Sequence, residues 1–163
     1  MTSFDTDVLI IGGGPVGMTL ACELARHGGR FRIVDKKSGP VTYSQAILVQ
    51  VRTQEILDAM GIVSGWKRNG YPLEEVSVHA GDKHLGHVRL AGLDSPHDTP
   101  LVVGQNVTES LLLEQLTRVG ATVERPAEAT EIEVDDEGAR VTIRHADGRE
   151  ERVAARYVVG CEG

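Results

Sequence analysis

Three consecutive glycines separate an apolar strand from a helix near the start of the chain, in the stretch VLIIGGGPVGMTLACEL at residues 8–24. The run DVLII at residues 7–11 is uniformly apolar, which is typical of a strand buried on both faces of a parallel sheet. Helical spacing follows over residues 15–27, and a pair of glycines ends the helix. The run FRIVD at residues 31–35 is a second short strand. Strand, helix and strand in this order predict one right-handed βαβ unit.

The glycines fit the spacing G-x-G-x-x-G, with Gly12, Gly14 and Gly17 at the three positions. Gly12 permits a tight turn out of the strand, Gly14 lets the backbone approach a pyrophosphate, and Gly17 lets the helix pack near the sheet. Pro15 suits the first helical turn, where its missing N–H costs nothing. The helix N-terminus presents free N–H groups and a partial positive charge to phosphates. The pattern therefore predicts a dinucleotide-binding turn.

Asp35 ends the second strand, 21 positions after Gly14. A carboxylate there accepts hydrogen bonds from the adenosine ribose hydroxyls, a role expected ~20 residues after the glycines. It also disfavours a 2′-phosphate, which it would repel. The alternative is a glycine-rich turn that binds nothing, and the motif alone does not choose between FAD and NAD.

The remainder of the chain favours a flavoprotein. After the second strand come a loop at residues 38–45, a helix that ends at Gly61, and a β-hairpin within an excursion at about residues 72–104. A further helix follows with Thr108 as its cap, and ATVER at residues 121–125 is a brief strand.

Residues 128–160 alternate with period two and predict a three-stranded meander that feeds a last buried strand, RYVVG. A plain NAD-binding half would instead continue to another helix and parallel strand. We expect one α/β domain over residues 1–163, a Rossmann-like FAD-binding fold with a parallel sheet, a β-meander crossover and an inserted β-hairpin. An NAD-linked dehydrogenase half remains an alternative that leaves the hairpin and meander unexplained.

The composition excludes several classes of function. A net charge of −7 without a basic stripe argues against nucleic-acid binding. No apolar run reaches the ~18 residues of a membrane span and no secretory signal opens the chain, so we expect a cytoplasmic protein that contacts no membrane. Cys22 and Cys161 lack the spacing of a disulfide framework or a metal site and are expected to be core residues. His79, His84 and His87 are expected on a solvated hairpin rather than around a metal.

Four segments carry a family resemblance: DVLIIGGGPVGMTLACELARHGGRFRIVDK, SGPVTYSQAILVQVRTQEILDAMGI, GQNVTESLLLEQL and RYVVGCEG. In this order they resemble the N-terminal part of the class A FAD-dependent aromatic hydroxylases, the family of para-hydroxybenzoate and phenol hydroxylases. The resemblance implies FAD as cofactor and NAD(P)H as reductant. It also implies that the chain is truncated, because the family continues into a substrate-binding domain that is absent here.

The same resemblance implies roles for individual residues. Arg52 would reach the FAD pyrophosphate through bidentate, charge-assisted bonds, Gln105 would bond the ribityl or phosphate region, and the Ala129 backbone would contact adenine. The complete set of expected cofactor contacts is Gly12, Gly14, Pro15, Val16, Gly17, Asp35, Lys36, Arg52, Gln105, Ala129 and Glu162. No catalytic acid or base and no metal ligand is expected.

Two positions depart from the family pattern. Family members commonly have arginine near the flavin where this chain has Gln45, which carries no charge. The family segment Gly-Ala-Asp-Gly is Gly-Cys-Glu-Gly here, so Glu162 stands for an aspartate linked to cofactor handling.

These observations predict the FAD-binding portion of a monooxygenase that hydroxylates an aromatic or polyketide-like substrate with NAD(P)H and O₂. The alternative is a non-catalytic or partner-dependent nucleotide-binding module from a truncated or split flavoprotein. A small aromatic substrate is expected only with the C-terminal part present. Self-association or a partner chain would cover the exposed sheet.

Overall fold

The computed structural model describes residues 4–40 and 47–162. The helices are α1 (Pro15–Arg26), α2 (Val51–Ala59), α3 (Ser64–Asn69) and α4 (Gln105–Arg118). The strands are β1 (Thr6–Ile11), β2 (Phe31–Val34), β3 (Leu48–Val49), β4 (Tyr71–Pro72), β5 (Glu75–Ala80), β6 (Lys83–Arg89), β7 (Leu101–Val102), β8 (Ala127–Val134), β9 (Ala139–His145) and β10 (Glu150–Gly160). They form two compact units, one from residues before 43 and after 108 and one from the residues between.

The first unit contains a five-stranded sheet in the order β2-β1-β10-β9-β8. β1 runs parallel to both β2 and β10, while β9 is antiparallel to both β10 and β8. The predicted βαβ unit and the predicted meander therefore belong to one sheet. The mixed α/β architecture expected from the sequence is confirmed.

β10 is longer than the sequence predicts. Its first half pairs with β9 from Glu150 to Ala155, and its second half pairs with β1 from Ala155 to Gly160. RYVVG is therefore not a separate strand but the continuation of the third meander strand. Nor is it fully buried, since Tyr157 is 63% exposed.

The core of this sheet consists of buried aliphatic side chains from every strand of the unit. Leu9, Val34, Val141 and Val153 are each at most 1% exposed. On α1 the buried positions include Met18 and the neighbouring Ala21 and Cys22. The continuous apolar run of β1 is explained by its central place between two parallel neighbours.

The predicted strand over residues 121–125 is wrong. Only Glu124 makes a bridge, parallel to Val34, with its N–H donating to the Ile33 carbonyl and its own carbonyl accepting from the Asp35 N–H. The ladder stops there because Pro126, two residues on, has no N–H to donate.

The second unit contains a small sheet in the order β3-β7-β4 and a separate hairpin of β5 and β6. The hairpin turns at Gly81, whose φ of +59° is a left-handed conformation that favours glycine. Leu57 and Trp66 are buried in this unit, and the short helix α3 that carries Trp66 was not predicted from the sequence.

Thr108 is not the cap of its helix. α4 begins at Gln105, and the N–H groups of Val107 and Thr108 donate to the Gly104 carbonyl. The Thr108 hydroxyl instead accepts a hydrogen bond from the Trp66 indole N–H, at 3.2 Å. None of the helices in the described part of the chain is long and apolar enough to cross a membrane.

Candidate cofactor-binding site

Steric contacts restrict two positions of the glycine turn between β1 and α1 to glycine. Gly12 has a φ of +110°, and a Cβ there would lie 2.7 Å from the carbonyl carbon of Cys161. A Cβ at Gly17 would lie 1.9 Å from the Gly12 carbonyl oxygen. Larger residues at either position would push the turn away from β10 or α1 away from the turn.

The N-terminus of α1 is open. Gly14 is its N-cap, no side chain caps it, and a Cβ on Gly14 would meet nothing within 4 Å. Pro15 occupies the first helical turn, and Val16 is 67% exposed. An uncapped helix start with free space beside its backbone suits an anionic group such as a phosphate.

Gly13 occupies an unspecified position of the motif, but steric contacts in the fold still favour glycine there. A Cβ there would lie 2.6 Å from Val123 Cγ1, 2.9 Å from an Arg125 guanidinium nitrogen and 3.0 Å from Asp35 Oδ2. These neighbours come from distant parts of the sequence, so only the fold explains why the second of the three consecutive glycines is present.

Asp35 lies directly after β2 with its side chain 10% exposed. Its Oδ1 accepts from the Lys37 N–H at 3.0 Å, and its Oδ2 accepts from the Arg125 guanidinium at 3.0 Å. The same Arg125 nitrogen donates to the Gly13 carbonyl oxygen. Lys36 is exposed beside this cluster. Sequence reasoning missed Arg125, because nothing in the local pattern of residues 121–125 relates it to the glycines.

The end of β10 also reaches the glycine turn. The Cys161 N–H donates to the Ile11 carbonyl at 2.7 Å, which holds the segment beside Gly12. Burial raises the pKa of the Cys161 thiol. Glu162 follows, with its backbone nitrogen 3.0 Å from the position of a Cβ on Gly12 and its side chain exposed.

Ala129 lies on β8 opposite Ile143 and packs, half-buried, against the sheet core. The start of β8 is joined to the same edge, since the Ala127 N–H donates to the Asp35 carbonyl at 2.9 Å. The first unit thus contains the glycine turn, Asp35, Ala129 and Glu162.

The other expected contacts lie in the second unit. Arg52 is in the first turn of α2 with its side chain 79% exposed, and it donates to Glu55 at 2.8 Å. Gln105 is the first residue of α4. Gln45 lies outside the described residues.

The hairpin histidines form an exposed row. The ring centroids of His79 and His84 are 5.0 Å apart, those of His84 and His87 are 4.6 Å apart, and His87 contacts Glu75 at 2.9 Å. Across residues 4–40 and 47–162, no group of three or more His, Cys, Asp or Glu side chains is placed to hold a metal ion.

Residues 5–163 match the family described as the FAD binding domain. The chain belongs to this family. FAD is accordingly the cofactor of the domain, and the resemblance to class A hydroxylases is confirmed. The residues of this FAD-binding domain fit the adenosine and pyrophosphate half of FAD, because a Cβ at Gly14 would fill the space that the backbone leaves open beside an uncapped helix start.

Among curated relatives, the domain is 36% identical over 157 residues to the rifampicin monooxygenase of Streptomyces venezuelae, covering 96% of this chain and 32% of that protein. It is 35% identical to the 12-dehydrotetracycline 5-monooxygenase/anhydrotetracycline 6-monooxygenase of Streptomyces rimosus, covering 96% of this chain and 30% of that protein. The chain therefore spans about a third of the length of these relatives.

Comparison with solved structures shows that the fold is also similar to that of monooxygenases. The anhydrotetracycline hydroxylase from Streptomyces rimosus is similar with a TM-score of 0.85 and 33% identity, over 97% of this chain and 31% of that one. The p-nitrophenol 4-monooxygenase from Pseudomonas putida has a TM-score of 0.89 at 22% identity, over 100% of this chain and 42% of that one. The second comparison bears on the fold alone.

Proposed function

We propose that this FAD-binding domain belongs to a flavin-dependent monooxygenase that uses NAD(P)H and O₂ to hydroxylate an aromatic or polyketide-like substrate. The observation that carries the proposal is the similarity, along 96% of the chain, to two Streptomyces monooxygenases whose names specify rifampicin and tetracycline-type substrates.

The described residues bind and orient the cofactor. The start of α1 at Gly14 receives the pyrophosphate, and the Asp35 carboxylate accepts hydrogen bonds from the ribose hydroxyls. Arg52 reaches the pyrophosphate and Gln105 the ribityl or phosphate region, while the Ala129 backbone contacts adenine. The exposed pairing of Arg52 with Glu55 opposes its proposed role little, because surface ion pairs are weak.

FAD bound to these residues would supply the redox chemistry of the reaction with NAD(P)H and O₂. The residues of this chain supply binding and orientation, and none is assigned a proton transfer. Glu162, beside the glycine turn, is proposed to contribute to cofactor handling in place of the family's aspartate.

A second candidate is a module that binds FAD without catalysing hydroxylation unless a partner supplies the remainder of the site. It is favoured by the uncharged Gln45, which stands where members of the resembling family commonly have an arginine near the flavin. In this case the exposed sheet surface that includes Tyr157 would contact the partner.

A titration with FAD, followed by flavin absorbance and fluorescence, tests cofactor binding. We expect saturable binding that weakens about tenfold or more in Asp35→Asn, because a hydrogen bond to a charged group is lost. Asp147→Asn, an exposed carboxylate in the turn between β9 and β10, is the matched control and should bind as the wild type does.

NAD(P)H oxidation coupled to hydroxylation separates the two candidates. Consumption of NAD(P)H and O₂ with formation of a hydroxylated aromatic product supports the monooxygenase. FAD binding without NAD(P)H oxidation supports the module, and binding of NAD with refusal of FAD would contradict both.

A further inference from the structure

Arg125 is a buried cation beside the glycine turn. It follows Glu124, whose bridge to Val34 brings this segment alongside the end of β2. The Arg125 side chain is 10% exposed, as is that of Asp35. The two residues are separated by 90 positions in the sequence, so their pairing is a product of the tertiary fold.

One guanidinium nitrogen of Arg125 joins two parts of the site. It donates to the Gly13 carbonyl oxygen in the glycine turn and to Asp35 Oδ2 at the end of β2. The Nε of Arg125 is buried and has no hydrogen-bond partner among the residues that the structure describes. Unsatisfied buried donors are uncommon in folded proteins, and buried ion pairs are often no more stabilising than apolar side chains of similar volume, so stability alone explains this arrangement poorly.

The hydrogen bonds of Asp35 leave part of its acceptor capacity unused. A carboxylate offers about four lone-pair positions. One position on Oδ2 is taken by Arg125 and one on Oδ1 by the Lys37 N–H, so each oxygen keeps acceptor capacity. Because each oxygen is held by a different donor, the plane of the carboxylate is set before any ribose arrives. A preset acceptor loses less entropy on binding than a mobile one.

We propose that Arg125 is a positioning residue for the adenosine half of FAD, acting through Asp35 and the Gly13 carbonyl. The guanidinium orients the carboxylate toward the ribose hydroxyls and fixes the turn that receives the pyrophosphate. This inference rests on the proposed ribose-binding role of Asp35. It adds a residue, from a segment outside the glycine motif, on which recognition of the ribose depends.

The test compares ADP with 2′-deoxy-ADP by titration calorimetry, alongside FAD, in the purified protein. The wild type should bind ADP about tenfold more tightly than 2′-deoxy-ADP, since one hydrogen bond to a charged acceptor is lost. In Arg125→Met this preference should fall to about twofold or less, with FAD binding weakened about tenfold. The ratio of two affinities in one variant is insensitive to a general loss of stability, which affects both ligands alike.

Two further variants complete the experiment. Arg140→Met removes an exposed arginine that pairs with Asp135 at 2.7 Å, and it should keep the wild-type preference and affinity. Arg125→Lys keeps the charge but lacks the planar fork, so it should retain the preference for ADP while binding both nucleotides more weakly. If Arg125→Met does not fold, Arg125→Lys decides, and wild-type affinity for both nucleotides in that variant would overturn the inference.

The failure of the inference is distinct from the failure of the proposed function. A wild type that binds neither FAD nor ADP would remove the proposed function and the inference with it. A wild type that prefers ADP, together with a folded Arg125→Met that prefers it equally, would leave FAD binding intact and overturn only the role of Arg125.

Discussion

Arg32 donates hydrogen bonds to both carboxylate oxygens of Glu151, at 2.8 and 3.1 Å, and so ties β2 to β10 across the intervening strand β1. The same guanidinium donates twice to Glu124, at 2.8 Å each, and His145 contacts Glu151 at 2.9 Å. These contacts raise the pKa of Arg32 above its usual range. The network holds the segment that carries Arg125 against the sheet.

This network makes the stability of the fold depend on pH in the acidic range. The hydrogen bonds from Arg32, reinforced by His145, lower the pKa of Glu151 from 4.5 to about 2. A lowered pKa in the folded state means that the stabilisation is fully present above about pH 4.5 and is lost as the pH falls toward 2.

We expect Glu151→Gln to lower the free energy of unfolding by about 2 kcal/mol at pH 7, with the difference from wild type shrinking below pH 4.5. Urea unfolding at a series of pH values measures it. Glu150→Gln, which removes a 58% exposed carboxylate, is the control and should change stability by less than about 0.5 kcal/mol. A constant difference between Glu151→Gln and wild type at every pH would contradict the assignment.

Gly17→Ala and Gly14→Ala should have opposite phenotypes. Alanine at position 17 would place Cβ 1.9 Å from the Gly12 carbonyl oxygen, and we expect a loss of about 2–4 kcal/mol of stability. Alanine at position 14 meets no protein atom, so the fold should survive while FAD affinity falls about tenfold or more. Thermal unfolding and FAD titration of each variant check this, and normal FAD binding by Gly14→Ala would argue against pyrophosphate at the start of α1.

The hydroxyl of Thr108 should matter for folding of the second unit. Thr108→Val leaves the buried Trp66 indole N–H without its acceptor, so we expect a loss of about 1–3 kcal/mol. Thr117→Val is the control, since that exposed hydroxyl only donates to the Leu113 carbonyl within α4. Urea unfolding followed by the fluorescence of the single tryptophan measures both. Equal losses in the two variants would show that helix propensity, rather than the indole contact, is responsible.

Cys22 should be inert in the folded protein. It is 5% exposed, and burial raises the pKa of its thiol to about 11. Because the thiolate is the reactive form, a disulfide reagent at pH 8 should modify Cys22 only after unfolding, while Cys161, which is partly exposed, reacts slowly in the native state. Modification of the Cys161→Ala variant follows Cys22 alone. Native-state labelling of that variant at the rate found in urea would contradict its burial.

Local pattern was enough to predict β1, α1 and β2, because an apolar run, a helical spacing and a glycine turn each depend on neighbours in sequence. The period-two alternation predicted the meander for the same reason. The family resemblance, not the spacing alone, selected FAD.

Only the tertiary structure decided the contacts between segments distant in sequence. Gly13 is an unspecified position in the motif, yet Arg125, Val123 and Asp35 together leave no room for a side chain there. Thr108 has the chemistry of a cap, but it became an acceptor for Trp66 because the helix begins one turn earlier. The sequence determined the local elements and the type of ligand. The packing of residues 90 positions apart determined which side chains surround the glycine turn, since such contacts leave no period or spacing in the chain.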